Sequence, residues 1–306
     1  MKAFGPFALW ELAPRLTLMK NIFLLLLFTW ACKPAPTSVA VEDVTQAQVK
    51  VAAIQCFSRM GAIQENRQRL TGLIREAANK GAKIVVLPEA AISGYMDPIN
   101  DTTWCKTLPG EDELAVQKVA ESKSGESVKY FCALAKELKI YLTIPFIESA
   151  GQNFYNTVIL TDPAGGIIAH HRKQDLWKHG DSSWCTEGDL EAQVVDSPYG
   201  RLGLMICYDV HSMPLKLAEK KADVVLYSVG WYGPNTEDWY RNRFPRKVLI
   251  PNHFSVVSAN WAQEAGQEVW PGCGWSHVTY KNGVVLKMST KQTGSSIVYA
   301  DLFIDR

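Results

Sequence analysis

The sequence lacks an excess of either charge. Lys and Arg total 32 and Asp and Glu total 31, so the formal net charge is +1 at pH 7. A protein that binds nucleic acid or an anionic membrane surface through its overall charge carries a basic excess. The composition therefore favours a small molecule as the partner, rather than a nucleic acid or a membrane surface.

The sequence also lacks the cysteine spacing of a metal site. None of its seven cysteines stands in the paired CxxC arrangement that ligates zinc or iron-sulfur clusters. They are Cys32, Cys56, Cys105, Cys132, Cys185, Cys207 and Cys273. We expect no metal and no cofactor. Some cysteines can pair in an oxidising compartment, but five remain beside Cys32 and Cys207, so at least one is free and the pairing stays open.

The N-terminal apolar run is too short to cross a membrane. It spans Asn21–Ala31, eleven residues, whereas a spanning helix needs about 20. It follows Lys20, as the apolar core of a signal peptide follows a basic region. We predict that residues 1–32 are a signal peptide or lipoprotein signal that directs export, with Met1 or Met19 as the start.

Cys32 suggests how this segment ends. Ala31 precedes it as a small residue precedes the lipidated cysteine of a bacterial lipoprotein, although the two residues before Ala31 depart from that pattern. Cleavage nearby without lipidation is the alternative. Residues 33–48 are Pro-rich and typical of a linker, so the folded domain is expected over 49–306. The expected location is the bacterial periplasm, with a possible lipid anchor at Cys32.

Strand and helix patterns alternate through the rest of the chain. The predicted strands cover 49–56, 82–87, 140–146, 201–206, 222–228, 253–259 and 295–300, and the predicted helices cover 66–80, 125–138, 214–221 and 236–249. Hairpins are predicted over 155–172 and 275–288, around turns at 162–166 and 281–283. Strand-helix-strand units imply parallel pairs and hairpins antiparallel ones, so the fold class is α/β with mixed sheets.

Reactive side chains follow several of these strands. Glu89, Cys207 and the segment 228–231 come directly after predicted strands, and Lys173 follows the first hairpin. Taken singly, a free cysteine is most often buried and inert, and Glu or Lys is most often an exposed loop residue. Together they supply a thiol nucleophile, a base and an electropositive neighbour. Ligands of open α/β sheets bind at such strand ends.

Five elements in this order resemble the nitrilase superfamily of carbon-nitrogen hydrolases. They are Leu87-Pro-Glu89, Tyr155-Asn156 with Arg172-Lys173, Ile206-Cys-Tyr-Asp209, Ser258-Ala-Asn260 and Gly274-Trp-Ser276. The resemblance covers about Val49 to Asp301. It implies a four-layer αββα sandwich, in which two mixed β-sheets pack face to face between helices, and a homodimer or larger homo-oligomer.

The resemblance also implies a role for each candidate residue. Glu89 would act as general base and acid, and Cys207 as the nucleophile that forms a thioester. Lys173 and the backbone N–H of Tyr208 would stabilise the oxyanion. Glu148 occupies the place of a second glutamate that the family often uses, and it would hold Lys173 and help to position the substrate.

The substrate pocket has weaker candidates. Amidases of the family often continue the nucleophile motif as CYDxRFPE, but here the Arg, Phe and Glu are missing, so the substrate does not follow from the resemblance. His211 stands in this departing segment and is a candidate lining residue. Trp231 is a candidate for an aromatic wall. Weaker aromatic candidates are Tyr232, Trp261, Trp270 and Trp275.

A small-amide amidase is the expected function, because Cys207-Tyr-Asp209 is more similar to amidases than to the Cys-Trp-Glu of nitrilases. A nitrilase, an acyltransferase that passes the thioester to an amine, and a non-catalytic exported binding protein of the same fold remain alternatives. A papain-like pairing of Cys207 with His253 is disfavoured because the flanking signatures are absent. A serine hydrolase is disfavoured because no G-x-S-x-G occurs.

Overall fold

The structure, a computed structural model, describes residues 47–97, 102–106, 114–264, 266 and 272–304. The predicted signal segment 1–32, nearly all of the linker and Trp270 lie outside these residues, so export and lipidation stay predictions. The first strand begins at Ala47, two residues before the predicted start of the domain. Within the described ranges, no helix has the length and apolar character needed to span a membrane.

Strands and helices alternate as the sequence predicts. The strands are β1 (Ala47–Gln55), β2 (Ile84–Val86), β3 (Met96–Asp97), β4 (Thr102–Thr103), β5 (Tyr141–Ala150), β6 (Asn153–Thr161), β7 (Ile167–Arg172), β8 (Val194–Ser197), β9 (Gly200–Ile206), β10 (Val224–Ser228), β11 (Ser255–Ala259), β12 (His277–Thr279), β13 (Val285–Met288) and β14 (Ser296–Ile304). The regular helices are α1 (Ile63–Asn79), α2 (Glu126–Leu138) and α3 (Met213–Glu219). Short 3₁₀ helices cover Val116–Lys118, Asp181–Ser183 and Cys207–His211.

The described strands form two six-stranded mixed sheets and one short pair, β3 with β4. The first sheet has the order β14-β1-β2-β5-β6-β7 and the second has the order β13-β12-β11-β10-β9-β8. In each sheet three neighbouring strands are parallel, β1, β2 and β5 in one and β9, β10 and β11 in the other. Antiparallel strands flank them on both sides. The predicted mixed α/β fold is confirmed.

Alternation along the strands separates two cores. Val49 and Val51 of β1 pack in one cluster with side chains of the second sheet, whereas Ile54 packs in another cluster with Leu70 and Ile74 of α1. Full burial of such a side chain contributes about 1.5–3 kcal/mol. The first sheet therefore packs against the second sheet on one face and against α1 and α2 on the other.

The helix predicted over 236–249 is a composite helix, residues 236–252. Its ends, Thr236–Asp238 and Ile250–Asn252, are α-helical, and the intervening Trp239–Arg243 and Pro245–Leu249 are π-helical. Pro245 has no N–H to donate, so a regular α-helical ladder cannot continue through it. The ring of Phe244 stacks on Tyr227 of β10, which holds the composite helix against the second sheet.

Three strands, β3, β4 and β8, are absent from the sequence prediction. β8 forms an edge of the second sheet, and its residues are half-buried or exposed, so it lacks the buried apolar run that marked the other strands. The β3–β4 pair has two residues in each strand, too few for a periodic pattern. The six cysteines within the described residues are free thiols.

Candidate active site

The carboxyl ends of β2, β7 and β9 meet at one pocket. Glu89 follows β2, Lys173 follows β7 and Cys207 follows β9. All three line a cavity of about 240 Å³. The other described lining residues are Tyr95, Trp177, Tyr208, Gly230, Trp231 and Tyr232. Within the described part of the chain, no group of three or more His, Cys, Asp or Glu side chains is arranged to hold a metal ion.

Cys207 stands in a strained turn at the end of β9. Its φ is +37°, in the left-handed region that costs a non-glycine residue on the order of 1–3 kcal/mol. Tyr227 Oη donates a hydrogen bond of 2.6 Å to the Cys207 carbonyl oxygen, which holds the turn in place. The thiol is 3.8 Å from the Gly230 carbonyl oxygen. The turn thus directs the sulfur into the pocket.

Lys173 is a buried cation between two carboxyl groups. It is 1% exposed, and its Nζ lies 2.7 Å from Glu89 Oε1 and 2.5 Å from Asp181 Oδ2. Burial alone lowers the pKa of an ammonium, but Asp181 and Glu89 outweigh it and raise the pKa of Lys173 well above its ordinary value. Lys173 therefore carries a positive charge in the resting pocket.

Asp181 is the charged site residue that sequence reasoning missed; among the lining residues it also missed Tyr95 and Trp177. Asp181 Oδ1 accepts hydrogen bonds from Tyr95 Oη at 2.6 Å and Asn156 Nδ2 at 3.2 Å, and its Oδ2 accepts the Trp177 N–H at 2.9 Å. Asp181 opens a short 3₁₀ helix in the irregular segment between β7 and β8. A lone Asp in such a segment has no periodicity or strand end to distinguish it from an exposed loop residue.

Glu89 has one anchored oxygen and one unpaired oxygen. Oε1 accepts hydrogen bonds from Lys173 and from Asn156 Nδ2 at 2.8 Å. Oε2 is buried and has no hydrogen-bond partner among the described residues. A Cβ added at Gly230 would lie 2.7 Å from this oxygen, so glycine leaves room for the carboxyl group. A buried acceptor without a partner requires an explanation. Here the explanation is the neighbouring thiol of Cys207, a proton donor next to the Glu89 carboxyl group.

Burial sets the protonation states of the base and the nucleophile. It raises the pKa of Glu89 above its ordinary value, although Lys173 opposes this shift. Burial and the nearby Glu89 also raise the pKa of Cys207 well above its ordinary value, and Lys173 only partly offsets them. The resting nucleophile is therefore a thiol, and a proton acceptor is needed when it attacks.

Asn260 holds the wall beside Gly230. Its Oδ1 accepts the Trp231 N–H at 2.8 Å, and its Nδ2 donates to the Trp231 and Gly274 carbonyl oxygens at 2.8 and 2.7 Å. Trp261 Nε1 donates to the Glu89 carbonyl oxygen at 2.9 Å. The Ser258-Ala-Asn260 and Gly274-Trp-Ser276 elements therefore support the pocket from behind.

The prediction that Glu148 holds Lys173 is wrong. Side chains alternate along a strand, so Glu148 lies on the same face of β5 as Ile144 and Phe146. This face packs against the helices and is opposite the pocket. Glu148 accepts hydrogen bonds from Arg172 Nη2 at 2.8 Å and from Thr157 Oγ1 at 2.9 Å. Burial favours its neutral form, yet Arg172 and His170 lower its pKa to about 2. Asp181, not Glu148, is the second carboxyl group at Lys173.

The remaining predicted lining residues divide into two groups. Tyr208, which is 37% exposed, Trp231 and Tyr232 line the pocket. His211 is exposed, and its ring meets that of Tyr208 edge to face with centroids 4.4 Å apart. It is not among the described residues that line the pocket, so a role in binding stays a prediction. Trp261 lies beneath Glu89 and Trp275 packs under Arg241, and neither is a described lining residue.

Comparison with known proteins decides the family. The family model described as "Carbon-nitrogen hydrolase" matches residues 50–306. The chain belongs to the carbon-nitrogen hydrolase family. The resemblance to the nitrilase superfamily is thereby confirmed, and the protein is an amidase-like enzyme of that family.

Relatives of this carbon-nitrogen hydrolase include amidases and a nitrilase. Omega-amidase NIT2 from Bos taurus is 30% identical over 254 residues, which cover 78% of this chain and 83% of the relative. A nitrilase from Pyrococcus abyssi is 26% identical over 261 residues, covering 84% and 92%. The crystal structure of an amidase from Nesterenkonia sp. matches with a TM-score of 0.68 at 19% identity, over 83% of this chain and 90% of that one, and so shows the same fold.

Asp209 links the two halves of the carbon-nitrogen hydrolase site. Its Oδ1 accepts the N–H groups of Gln174 and Asp175 at 2.8 and 2.9 Å, next to Lys173. Its Oδ2 accepts the N–H of Ile206 at 3.1 Å and lies 2.7 Å from His171 Nε2. The buried carboxyl group thus ties the segment that carries Lys173 to the turn that carries Cys207.

Asp209→Asn is expected to lower the free energy of unfolding by at least about 1 kcal/mol. Asparagine has one acceptor oxygen, so either orientation of its amide leaves at least one of the three backbone N–H donors facing an NH₂ group. Each unmatched buried donor costs about 1–3 kcal/mol. Urea unfolding, with the midpoint and slope compared between variants, measures the loss.

Asp189→Asn provides the matched control. Asp189 pairs with Arg172, but its side chain is 59% exposed. A pair this exposed contributes little, so a change below about 1 kcal/mol is expected. Equal unfolding midpoints for Asp209→Asn and Asp189→Asn would show that Asp209 does not hold the two halves together.

Proposed function

We propose that this carbon-nitrogen hydrolase cleaves small amides through a thioester on Cys207. Glu89 acts as general base and then general acid, and Lys173 stabilises the oxyanion. The observation that carries the proposal is the Glu89 carboxyl group, which adjoins the Cys207 thiol. One of its oxygens is anchored by Lys173 and Asn156, and the other has no hydrogen-bond partner among the described residues. A base held in this way needs little reorganisation before it accepts a proton.

The first half of the reaction forms the acyl-enzyme. The thiol proton passes to Glu89 Oε2 while the sulfur of Cys207 bonds to the amide carbon, and the carbonyl electron pair moves to oxygen. An ammonium has three donors; two of those on Lys173 go to Glu89 and Asp181, and the third is available for the oxyanion. The backbone N–H of Tyr208 is the second donor. Glu89 then protonates the nitrogen, the C–N bond breaks and the amine leaves.

The second half regenerates the enzyme. A water enters the space vacated by the amine. Glu89 removes a proton from this water while the water oxygen attacks the thioester carbon. The carbon-sulfur bond breaks, the acid leaves and the proton returns to Cys207. Because Glu89 takes up and gives back one proton in each half, its raised pKa suits both roles better than the pKa of an exposed glutamate.

Amide substrates are favoured over nitriles by the Cys207-Tyr-Asp209 motif and by relatives named as amidases. A cavity of about 240 Å³ suits a small acyl group. Acyl transfer differs only in the acceptor, an amine in place of water, so it shares the first half of the reaction. Products distinguish these functions.

Mass spectrometry of the acid-quenched enzyme tests the proposal. After incubation with butyramide, the peptide that contains Cys207 is expected to gain one butyryl group, and ammonia and butyrate are expected to accumulate. Butyronitrile and an added amine acceptor, tested in parallel, report nitrile hydrolysis and acyl transfer. An acyl group found on another residue, or no product from any amide, nitrile or acceptor, would contradict the proposal.

A further inference from the structure

Aromatic rings form the walls of the pocket. Trp231 stacks on Trp239 with ring centroids 5.4 Å apart and planes at 9°. Trp177 meets Tyr232 edge to face at 6.1 Å. Each ring that faces the pocket is thus supported by another ring, so the apolar walls are formed before a ligand enters.

Positive charge in the pocket is already committed. Lys173 is the one cation among the described lining residues, and two carboxyl groups, those of Glu89 and Asp181, lie within 2.7 Å of its Nζ. Its remaining donor is needed for the oxygen of the scissile amide. A carboxylate carried by the substrate would therefore find no free cation among these residues, and it would lie near Glu89.

We propose that the substrates are amides whose acyl group is uncharged and apolar, and that mono-amides of dicarboxylic acids are rejected. The inference rests on the proposed function for the position of the scissile amide at Cys207. The acyl group then lies against Trp177, Trp231 and Tyr232. Burial of its apolar surface favours binding, whereas a carboxylate in the same place loses its hydration without gaining a partner.

Two ligands of equal shape test the charge preference. 4-Methylpentanamide ends in an isopropyl group where succinamate ends in a carboxylate, and the two are otherwise alike. Calorimetric titration of Cys207→Ala is expected to show 4-methylpentanamide binding at least about tenfold more tightly, equivalent to ~1.4 kcal/mol. Equal or reversed affinities, or no binding of 4-methylpentanamide, would overturn the inference. If 4-methylpentanamide binds more tightly but the wild type hydrolyses neither of these ligands nor any other amide, the proposed function is wrong and the charge preference of the pocket still stands.

Trp231→Ala tests the aromatic wall. The ratio of the acetamide Kd to the 4-methylpentanamide Kd is expected to fall about tenfold in this variant, because only the longer acyl group reaches the ring. Trp231→Phe keeps an aromatic surface and is expected to retain most of the ratio. An unchanged ratio in Trp231→Ala, with an unfolding midpoint like that of the wild type, would show that Trp231 does not select the acyl group.

Discussion

Replacing Cys207 with alanine is expected to abolish amide hydrolysis while leaving the fold intact. Without the sulfur no thioester forms, and the remaining groups can only polarise the amide and activate water. Losses on removal of a covalent nucleophile are roughly 10⁴- to 10⁶-fold in kcat. Ammonia release measures the activity, and urea unfolding measures the fold. The change removes one atom in a turn that Tyr227 continues to hold, so the midpoint should move little.

Cys132→Ala is the control for the loss of a thiol. Cys132 lies on α2, away from the pocket, and alanine is favourable in a helix. Its activity should match that of the wild type. Activity in Cys207→Ala comparable to that of Cys132→Ala would exclude the thioester mechanism, whatever the substrate.

Glu89→Gln is expected to lower kcat/KM by about 10²- to 10⁴-fold, the usual contribution of a general acid-base group. Glutamine has the same shape, so its oxygen still accepts hydrogen bonds from Lys173 and Asn156. Its NH₂ group, however, lies at the unpaired position and cannot accept the thiol proton. Steady-state kinetics with butyramide measure the loss, and the Cys207 acyl adduct should form correspondingly slowly.

The pH profile identifies the group that is lost. Glu89 accepts a proton only when it is ionised, and burial raises its pKa, so activity should rise with pH above the ordinary glutamate value of 4.5. The acid limb of kcat/KM should therefore lie at higher pH than for an exposed carboxyl group, and Glu89→Gln should lose this limb. An acid limb that persists in Glu89→Gln would assign the base to another residue.

Glu148→Gln tests whether Glu148 is structural, as its contacts indicate, or acts at the active site, as the sequence predicted. Glu148 binds Arg172 on the far face of β5, so its loss is expected to reduce stability rather than kcat per folded molecule. The same acid limb should remain. A loss of kcat as large as that in Glu89→Gln would restore Glu148 to the catalytic set.

Site residues that follow a strand within a motif were predictable from the sequence, and those in irregular segments were not. Glu89, Lys173 and Cys207 were recognisable because each follows a strand within a motif, and strand ends of parallel sheets meet at one edge. Asp181 lies only eight residues after Lys173 but in irregular chain, where no period reports which way a side chain points. The π-helical stretches and β8 were missed because neither has a pattern of its own.

Glu148 shows the limit most clearly. Motif order suggested it as a second family glutamate, but a shift of one residue along a strand moves a side chain to the opposite face. Ile147, its neighbour, packs with Tyr95 and Trp184 near the site, whereas Glu148 packs with Arg172 behind the sheet. Motif order alone does not show which face of the strand a side chain occupies.

The sequence by itself determined the family, the mixed α/β class and the pocket residues Glu89, Lys173 and Cys207, because local patterns and motif order report which elements form and which side chains end them. It also named Tyr208, Trp231 and Tyr232 as candidates for the lining. Only the tertiary structure decided the partner of Lys173, the unpaired oxygen of Glu89 and the ring pairs that support the aromatic walls. These depend on contacts between residues far apart in the chain, such as the 84 positions that separate Glu89 from Lys173. Which of these contacts form depends on how the whole chain packs, and no local sequence pattern shows it.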